Sequence, residues 1–279
     1  MSAPPFAYYG GKTMLAERLA DLLPPHRGYV EPFAGSLAVL LAKAPACMEV
    51  ANDLDGALMA FWRVLRDRPD ELMRICALTP HSRAEHLRAY DHDVDDELEK
   101  ARRVWVALTQ GRGGTLRRTG WRHFQDPGRR STTSMPDYLT GYVERMRGAA
   151  ARLAHVSLEC RPALDVIADY GRHAEVLIYA DPPYLGTTRS SRQYLVEMSH
   201  EAEHVELAEA LLACSATVVL SGYDSPLYAD LYAGWHRTEI PTYTGQGNHA
   251  EGSNDRRVEV LWSNRELGHP TLDFGEVTA

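Results

Sequence analysis

Apolar residues along this chain fall into two textures, and the switches between them predict its organisation. Short strand-like runs fall at residues 29–30, 47–51 and 155–159, and the runs at 176–180 and 216–220 mark strands buried on both faces. Between them the apolar positions recur at helical spacing. Met14, Leu15, Leu19, Leu22 and Leu23 form one such stripe, stopped by Pro24-Pro25. Residues 54–65, 162–170 and 199–212 form others. From Pro69 the texture is helical only, with stripes at 71–78, 82–90, 98–109 and 137–153, and strand texture returns at His155. Residues 235–240 and 257–262 read as a terminal antiparallel pair around a Gly/Asn-rich loop. The expected fold is α/β: a mostly parallel sheet, helices on both faces, and a mainly helical insert near residues 69–150.

The run 176–180 passes straight into Asp181-Pro182-Pro183-Tyr184. Two prolines cannot donate to a strand ladder, so the chain leaves the sheet there. That places a carboxylate, two backbone carbonyls and an aromatic ring at the carboxyl end of a buried strand, where open α/β sheets bind ligands. A proline-terminated strand with a capping Asp is the plain alternative. Residues 29–36 read as a strand, a glycine turn and a helix start with Ser36 as N-cap. Asp53 follows Gly35 by 18 residues, at the end of the next strand. Acidic side chains hold a ribose from that position in doubly wound folds; a helix cap at Asp53 is the alternative. Gly10-Gly11-Lys12-Thr13 could pass for a phosphate loop. Phe6 stands where that pattern wants a glycine, however, and no strand precedes it, which disfavours a nucleotide triphosphatase.

Composition narrows the class. With 279 residues, 44% hydrophobic and 24% charged, the chain reads as an ordinary globular protein. No apolar run is long enough to span a bilayer, and Met1 to Gly11 lacks the apolar centre of a signal peptide; a cytoplasmic location off the membrane is expected. Cys47, Cys76, Cys160 and Cys214 are far apart, so reduced thiols and no zinc site are expected. Asp91, Asp93, Asp95, Asp96 and Glu97 lack the glycine of a calcium loop and read as a solvated link with helix-start charges, so no metal is expected. A net charge of −8 argues against nonspecific coating of nucleic acid. Residues 110–130 run the other way: six arginines face the single acid Asp126, with glycines interleaved and Trp121, His123 and Phe124 near the tip. In this hairpin or mobile loop Arg112, Arg117, Arg118 and Arg122 are the candidate nucleic-acid contacts. A loop whose arginines pair with the acidic 91–99 segment is the alternative.

Tyr8 to Lys12, Glu31-Pro32-Phe33-Ala34-Gly35, Asn52-Asp53 and Asp181-Pro182-Pro183-Tyr184, in that order with a long insert before the last, resemble the alpha group of Dam-like DNA adenine-N6 methyltransferases. Glu259-Val260-Leu261-Trp262-Ser263-Asn264 is similar to that family's closing motif, and the resemblance covers most of residues 6–68 and 156–264. It implies a Rossmann-like methyltransferase sheet that binds S-adenosyl-L-methionine, built from residues 1–68 and 151–279. Residues 69–150 would be the target-recognition insert for double-stranded DNA. It further implies that Asp181 and the Pro182 carbonyl hold the amino group of a flipped adenine while Tyr184 stacks on it. Phe33 and Gly35 would shape the cofactor turn, Asp53 take the ribose hydroxyls, and Tyr8 and Lys12 close over the methionine end. Asp181 also counts among the cofactor contacts, and Tyr194 among the DNA contacts. Pro162 stands where many relatives carry Asp or Asn, so one polar contact to the cofactor's adenine is expected to be missing. A monomer in a bacterial or phage-infected cell is expected. Methyl transfer to cytosine N4 or a protein glutamine, and an inactive DNA-binding relative, are the rival readings.

Overall fold

The computed structural model describes residues 2–91, 93–123, 134–184, 198, 200–243 and 256–268. Phe124, Arg129, Arg130 and Tyr194 lie outside the described residues. The strands are β1 (Gly28–Glu31), β2 (Met48–Asn52), β3 (Val156–Glu159), β4 (Val176–Ala180), β5 (Thr217–Tyr223), β6 (His236–Tyr243) and β7 (Arg256–Ser263). They form one sheet in the order β3-β2-β1-β4-β5-β7-β6. The first five run parallel, and β7 and β6 add antiparallel. Strand order reverses between β1 and β4, where Val30 lies beside Ile178, and crevices open at such switch points. Ser221, Gly222 and Tyr223 belong to β5 and do not close it as expected, because each pairs with a residue of β7.

Side chains alternate between two apolar layers, as the pleat requires. Tyr29, Leu177, Tyr179, Val219 and Leu261 enter one core, and Val30, Ile178, Val218, Leu220 and Val260 enter the other. The second core is covered by α8 (Ala163–Tyr170), α9 (Glu201–Leu212) and α10 (Pro226–Leu231). The first is covered by α1 (Ala16–Leu22), α2 (Ala38–Ala42) and α3 (Gly56–Asp67). Helices α4 (Pro69–Leu78), α5 (Arg83–Arg88), α6 (Glu97–Gln110) and α7 (Met135–Leu153) complete the connection from β2 to β3. Among the described residues 69–150 contribute no strand to the sheet. Trp105 of α6 is fully buried in the first core, and its indole donates to the Pro5 carbonyl at 3.1 Å.

At two turns the caps differ from the sequence reading: the expected Ser36 cap is absent, and the alternative of an Asp53 cap is excluded. Helix α2 starts at Ala38 behind Leu37, with no side-chain cap, so Ser36 is not the N-cap. Helix α3 is capped by Asp55, whose carboxylate accepts from the Ala57 and Leu58 amides, and not by Asp53. The expected apolar stripe of α1 also starts later, and Met14 points into solvent.

A buried ion cluster ties α7 to the sheet. Glu49 of β2 accepts from Lys43 at 2.7 Å and from both terminal nitrogens of Arg152. Burial pushes the Glu49 carboxyl up, but Arg152 and Lys43 outweigh it and hold it below its usual range. Glu49→Ala leaves two cations without their carboxylate, and removing one partner of such a cluster costs about 3–5 kcal/mol. Chemical denaturation of this variant should show a loss of that order; a loss below about 1 kcal/mol would show that the cluster is dispensable.

Candidate active site

Three chain segments meet at the carboxyl edge of β1 and β4. Beyond β1 the chain turns through Pro32, Phe33, Ala34 and Gly35, and beyond β4 it enters Asp181-Pro182-Pro183-Tyr184. Residues 8–12 lie across both. Together they line a cleft of about 270 Å³ that contains Tyr8, Lys12, Phe33, Gly35, Asp53 and Asp181. The structure therefore gathers all the expected cofactor-side residues in one place. Pro162, Ala163 and Leu164 supply an apolar wall, and Pro183 lines the same space.

The turn after β1 depends on a backbone that glycine permits. Gly35 has φ +47°, and a Cβ there would meet the Tyr8 ring at 3.3 Å. Its amide donates to Asp53 at 3.0 Å, and its carbonyl accepts from the Trp62 indole at 3.1 Å. Asp53 also accepts from the Asp55 amide at 3.0 Å, so this carboxylate braces the turn while lining the cleft. Burial pushes it up to about 6.

At the other side, Lys12 is only 6% exposed, yet its ammonium is shared among several oxygens. It donates to the two Asp181 oxygens at 2.7 and 2.8 Å, to the Gly10 carbonyl at 3.1 Å and to the Tyr184 hydroxyl. Glu259 of β7 stands 3.6 Å away. Tyr184 in turn donates to Glu259 at 2.8 Å, as does Ser221 at 2.6 Å. Burial works against the Lys12 charge, but Asp181 and Glu259 outweigh it and raise its pKa. Burial also pushes Asp181 up, Lys12 pulls it back, and the balance leaves it at about 6. The Tyr184 ring is buried against Tyr223, centroids 4.4 Å apart. Among the described residues no donor takes up the Pro182 carbonyl. Asp181 and Pro183 thus face the cleft, whereas Pro182 and Tyr184 are buried beside it and are not among the residues that line it.

Sequence reasoning missed Glu259, Ser221 and Glu31. Glu31 ends β1 almost fully buried, accepting from the Tyr29 hydroxyl at 2.7 Å and the Leu40 amide at 2.8 Å. Burial drives its pKa to about 8. The acid in Glu31-Pro32 and in Glu259-Val260 was in plain view, but nothing local marked either as buried.

The arginine loop is closed by antiparallel pairing: Arg112 N–H donates to Gly120 at 3.0 Å and Arg122 N–H to Gln110 at 2.7 Å. Trp121 sits at this closure and not near the tip, stacked on His81 and His123 with centroids 4.4 and 4.9 Å away. Gly114 has φ +62°, and its carbonyl accepts from the Tyr9 amide at 2.7 Å, which docks the loop on the segment that lines the cleft. Arg112 and Arg118 are exposed, whereas Arg122 is half-buried against Tyr138. Arg117 is half-buried, its amide bonded to Thr115. The acidic segment has other partners: Asp91 pairs with Arg103, Glu97 with Arg63, and Glu99 with Arg102 and Arg103.

A family model described as D12 class N6 adenine-specific DNA methyltransferase matches residues 8–244. The chain is similar to the Type II methyltransferase M1.LlaDCHI of Lactococcus lactis subsp. cremoris, 26% identical over 278 residues, covering 91% of this chain and 93% of that protein. Among solved structures, the rRNA methyltransferase aviRa of Streptomyces viridochromogenes aligns over 95% of this chain and 88% of its own, at 13% identity and a TM-score of 0.36. The fold assignment rests on the strand order and not on that loose likeness.

Glu31 makes a pH signature. Its folded pKa, about 8, lies above the ordinary 4.5, so the folded state holds a proton that the unfolded state releases. The associated stability is fully present below 4.5 and is lost as pH rises through about 8. Glu31→Gln cannot lose that proton. Melting curves should show the variant gaining on the wild type between pH 5 and 8, and a constant difference would refute the buried neutral carboxyl.

Proposed function

The chain belongs to the D12 class of N6 adenine-specific DNA methyltransferases, and we propose that it moves the methyl group of S-adenosylmethionine to adenine through Asp181 and Pro182. The observation that carries this reading is the Asp181 carboxylate at the end of β4, in the same cleft as Gly35 and Asp53. The donor set fits the cofactor: a turn that a Cβ would crowd, a carboxylate for ribose hydroxyls, and an apolar wall for a flat base. Pro162 supplies no side-chain hydrogen bond to that wall. When bound, S-adenosylmethionine supplies an electrophilic methyl on sulfonium.

The protein's part is positioning. An adenine amino nitrogen is a poor nucleophile, because its lone pair is delocalised into the ring. Asp181 and the Pro182 carbonyl accept its two hydrogens and draw it towards tetrahedral geometry, which frees the lone pair for in-line attack. Pro183 has no N–H to compete for that carbonyl. After transfer the surplus proton on nitrogen passes to the Asp181 carboxylate. Tyr184, packed here against Tyr223 and the Lys12 ammonium, is the aromatic ring next to Asp181 that would stack on the base. The base reaches this depth only when flipped from its duplex. Residues 69–150 recognise the target, with Arg112, Arg117 and Arg118 towards DNA and Arg122 bracing the loop on Tyr138. An adenine target is favoured over cytosine N4 or a glutamine amide by the family match.

Asp181→Ala is expected to cut transfer of labelled methyl to duplex DNA by at least about a hundredfold, with cofactor affinity within about tenfold by calorimetry. Asp53→Ala should reverse the pattern and weaken cofactor binding first. Wild-type activity should fall as pH drops through about 6, where Asp181 takes up a proton. Full activity in Asp181→Ala would end this mechanism.

Arg112→Ala with Arg118→Ala should flatten the salt dependence of DNA affinity by about two log–log units, roughly 0.9 for each phosphate that is no longer neutralised. If either arginine reads a base, sequence preference relaxes instead. A filter-binding titration in which neither slope nor preference changes would remove the loop from the DNA interface.

A further inference from the structure

Asp181 carries a contradiction in the site just described. The proposed function, on which this inference rests, needs an Asp181 oxygen to accept the target amino group, yet both oxygens already accept from Lys12, at 2.7 and 2.8 Å. Lys12 takes one lone pair on each oxygen and the Tyr184 hydroxyl stands 3.3 Å from Oδ1, so an incoming amino group must share the carboxylate with the ammonium. Lys12 cannot leave for solvent, because it is buried under Tyr184, with its nitrogen 4.9 Å from that ring's centroid. A second carboxylate stands 3.6 Å from the nitrogen: Glu259. A shift of about 1 Å brings Lys12 to charge-assisted distance from it.

We propose that Glu259 is a positioning residue for methyl transfer, receiving the Lys12 ammonium when the target amino group takes its place on Asp181. Glu259 is 4% exposed on β7, fixed by hydroxyls of Ser221 and Tyr184 at 2.6 and 2.8 Å. Those bonds keep the carboxylate in place before and after the shift. Tyr184 lies between the two seats, accepting from Lys12 and donating to Glu259, so its hydroxyl stays bonded in either state. Without a base bound, Lys12 compensates the buried Asp181 charge. With a base bound, the cation stays in the site and one Asp181 oxygen is released. No proton moves in this exchange, and the site's net charge is unchanged.

The test uses single-turnover transfer of labelled methyl to duplex DNA at saturating S-adenosylmethionine, with cofactor and DNA binding and melting temperature measured alongside. Glu259→Gln keeps an oxygen for Ser221 and Tyr184 but removes the charge that attracts Lys12. It is expected to melt within a few degrees of the wild type, bind both ligands within threefold, and transfer at least a hundredfold slower. A Glu259→Gln rate within threefold of wild type overturns the proposal. If Glu259→Gln does not fold, Glu259→Asp decides. Retaining the charge, it should transfer within thirtyfold of wild type, and a complete loss of transfer in a folded Glu259→Asp counts against a charge-receiving role. A wild type that labels no DNA would instead sink the methyltransferase reading itself, which keeps the two failures apart.

Discussion

Two carboxylates brought together in a fold need either a shared proton or a cation, and here Lys12 supplies the cation. Asp181 ends β4 and Glu259 lies on β7, so the ammonium that serves both must come from a third segment, the loop before α1. That requirement fixes the chain's opening residues across the carboxyl edge of the sheet. Once there, the same loop supplies Tyr8 to the cleft wall, and its Tyr9 amide holds Gly114 of the arginine loop. The cleft, the Asp181 carboxylate and the arginine loop therefore share one backbone segment, whose placement is set by a charge pair too buried for salt to screen well.

The sheet gives this arrangement its rigidity. Because strand order reverses between β1 and β4, no neighbouring strand end blocks the edge where both loops emerge. The turn after β1 adopts a conformation that few residues tolerate. Gly35 and Leu37 both have left-handed backbone, φ 47° and 53°, and for leucine this costs about 1–2 kcal/mol. The cost is met locally: Leu37 N–H donates to Ala34 and Ala34 N–H to Asn52, both at 2.7 Å, while Leu37 itself is fully buried. A strained turn held by hydrogen bonds and packing is preorganised for a ligand, in contrast to a loop that must order on binding.

The sheet was legible because its signals are local. Unbroken apolar runs and the Pro-Pro stop mark buried strands whatever lies far away in the chain, and the helical texture of 69–150 is likewise a short-range pattern. The cleft residues Gly35, Asp53 and Asp181 were legible for a related reason: each sits at a strand end defined by such runs. Glu259 was not, because an acid between Val258 and Val260 fits an ordinary half-exposed strand as well as a buried one. Only the arrival of Lys12 and Tyr184 distinguishes the two. The caps were hidden for a subtler reason. Asp53 and Asp55 are equally good capping residues two positions apart, and the demand of the Gly35 amide for an acceptor decides between them. The arginines, alike in sequence, separate only in three dimensions, where Arg122 meets Tyr138 and Arg118 meets solvent.

Charge organisation explains how an acidic chain can present a basic face. The net charge of −8 is an average over a surface on which acids and bases are sorted by pairing. Near the loop, the acids at the start of α6 are taken by Arg63, Arg102 and Arg103, which belong to the helices themselves. Such pairs add little stability at the surface, but they hold these carboxylates on helix arginines and not on Arg112 or Arg118. Under the proposed function, a phosphate within a Debye length of the loop would meet these arginines and not the distant remainder of the −8. Helix-borne arginines thus shape the field of a loop they do not belong to, and the sign of the whole protein says little about the sign of that face.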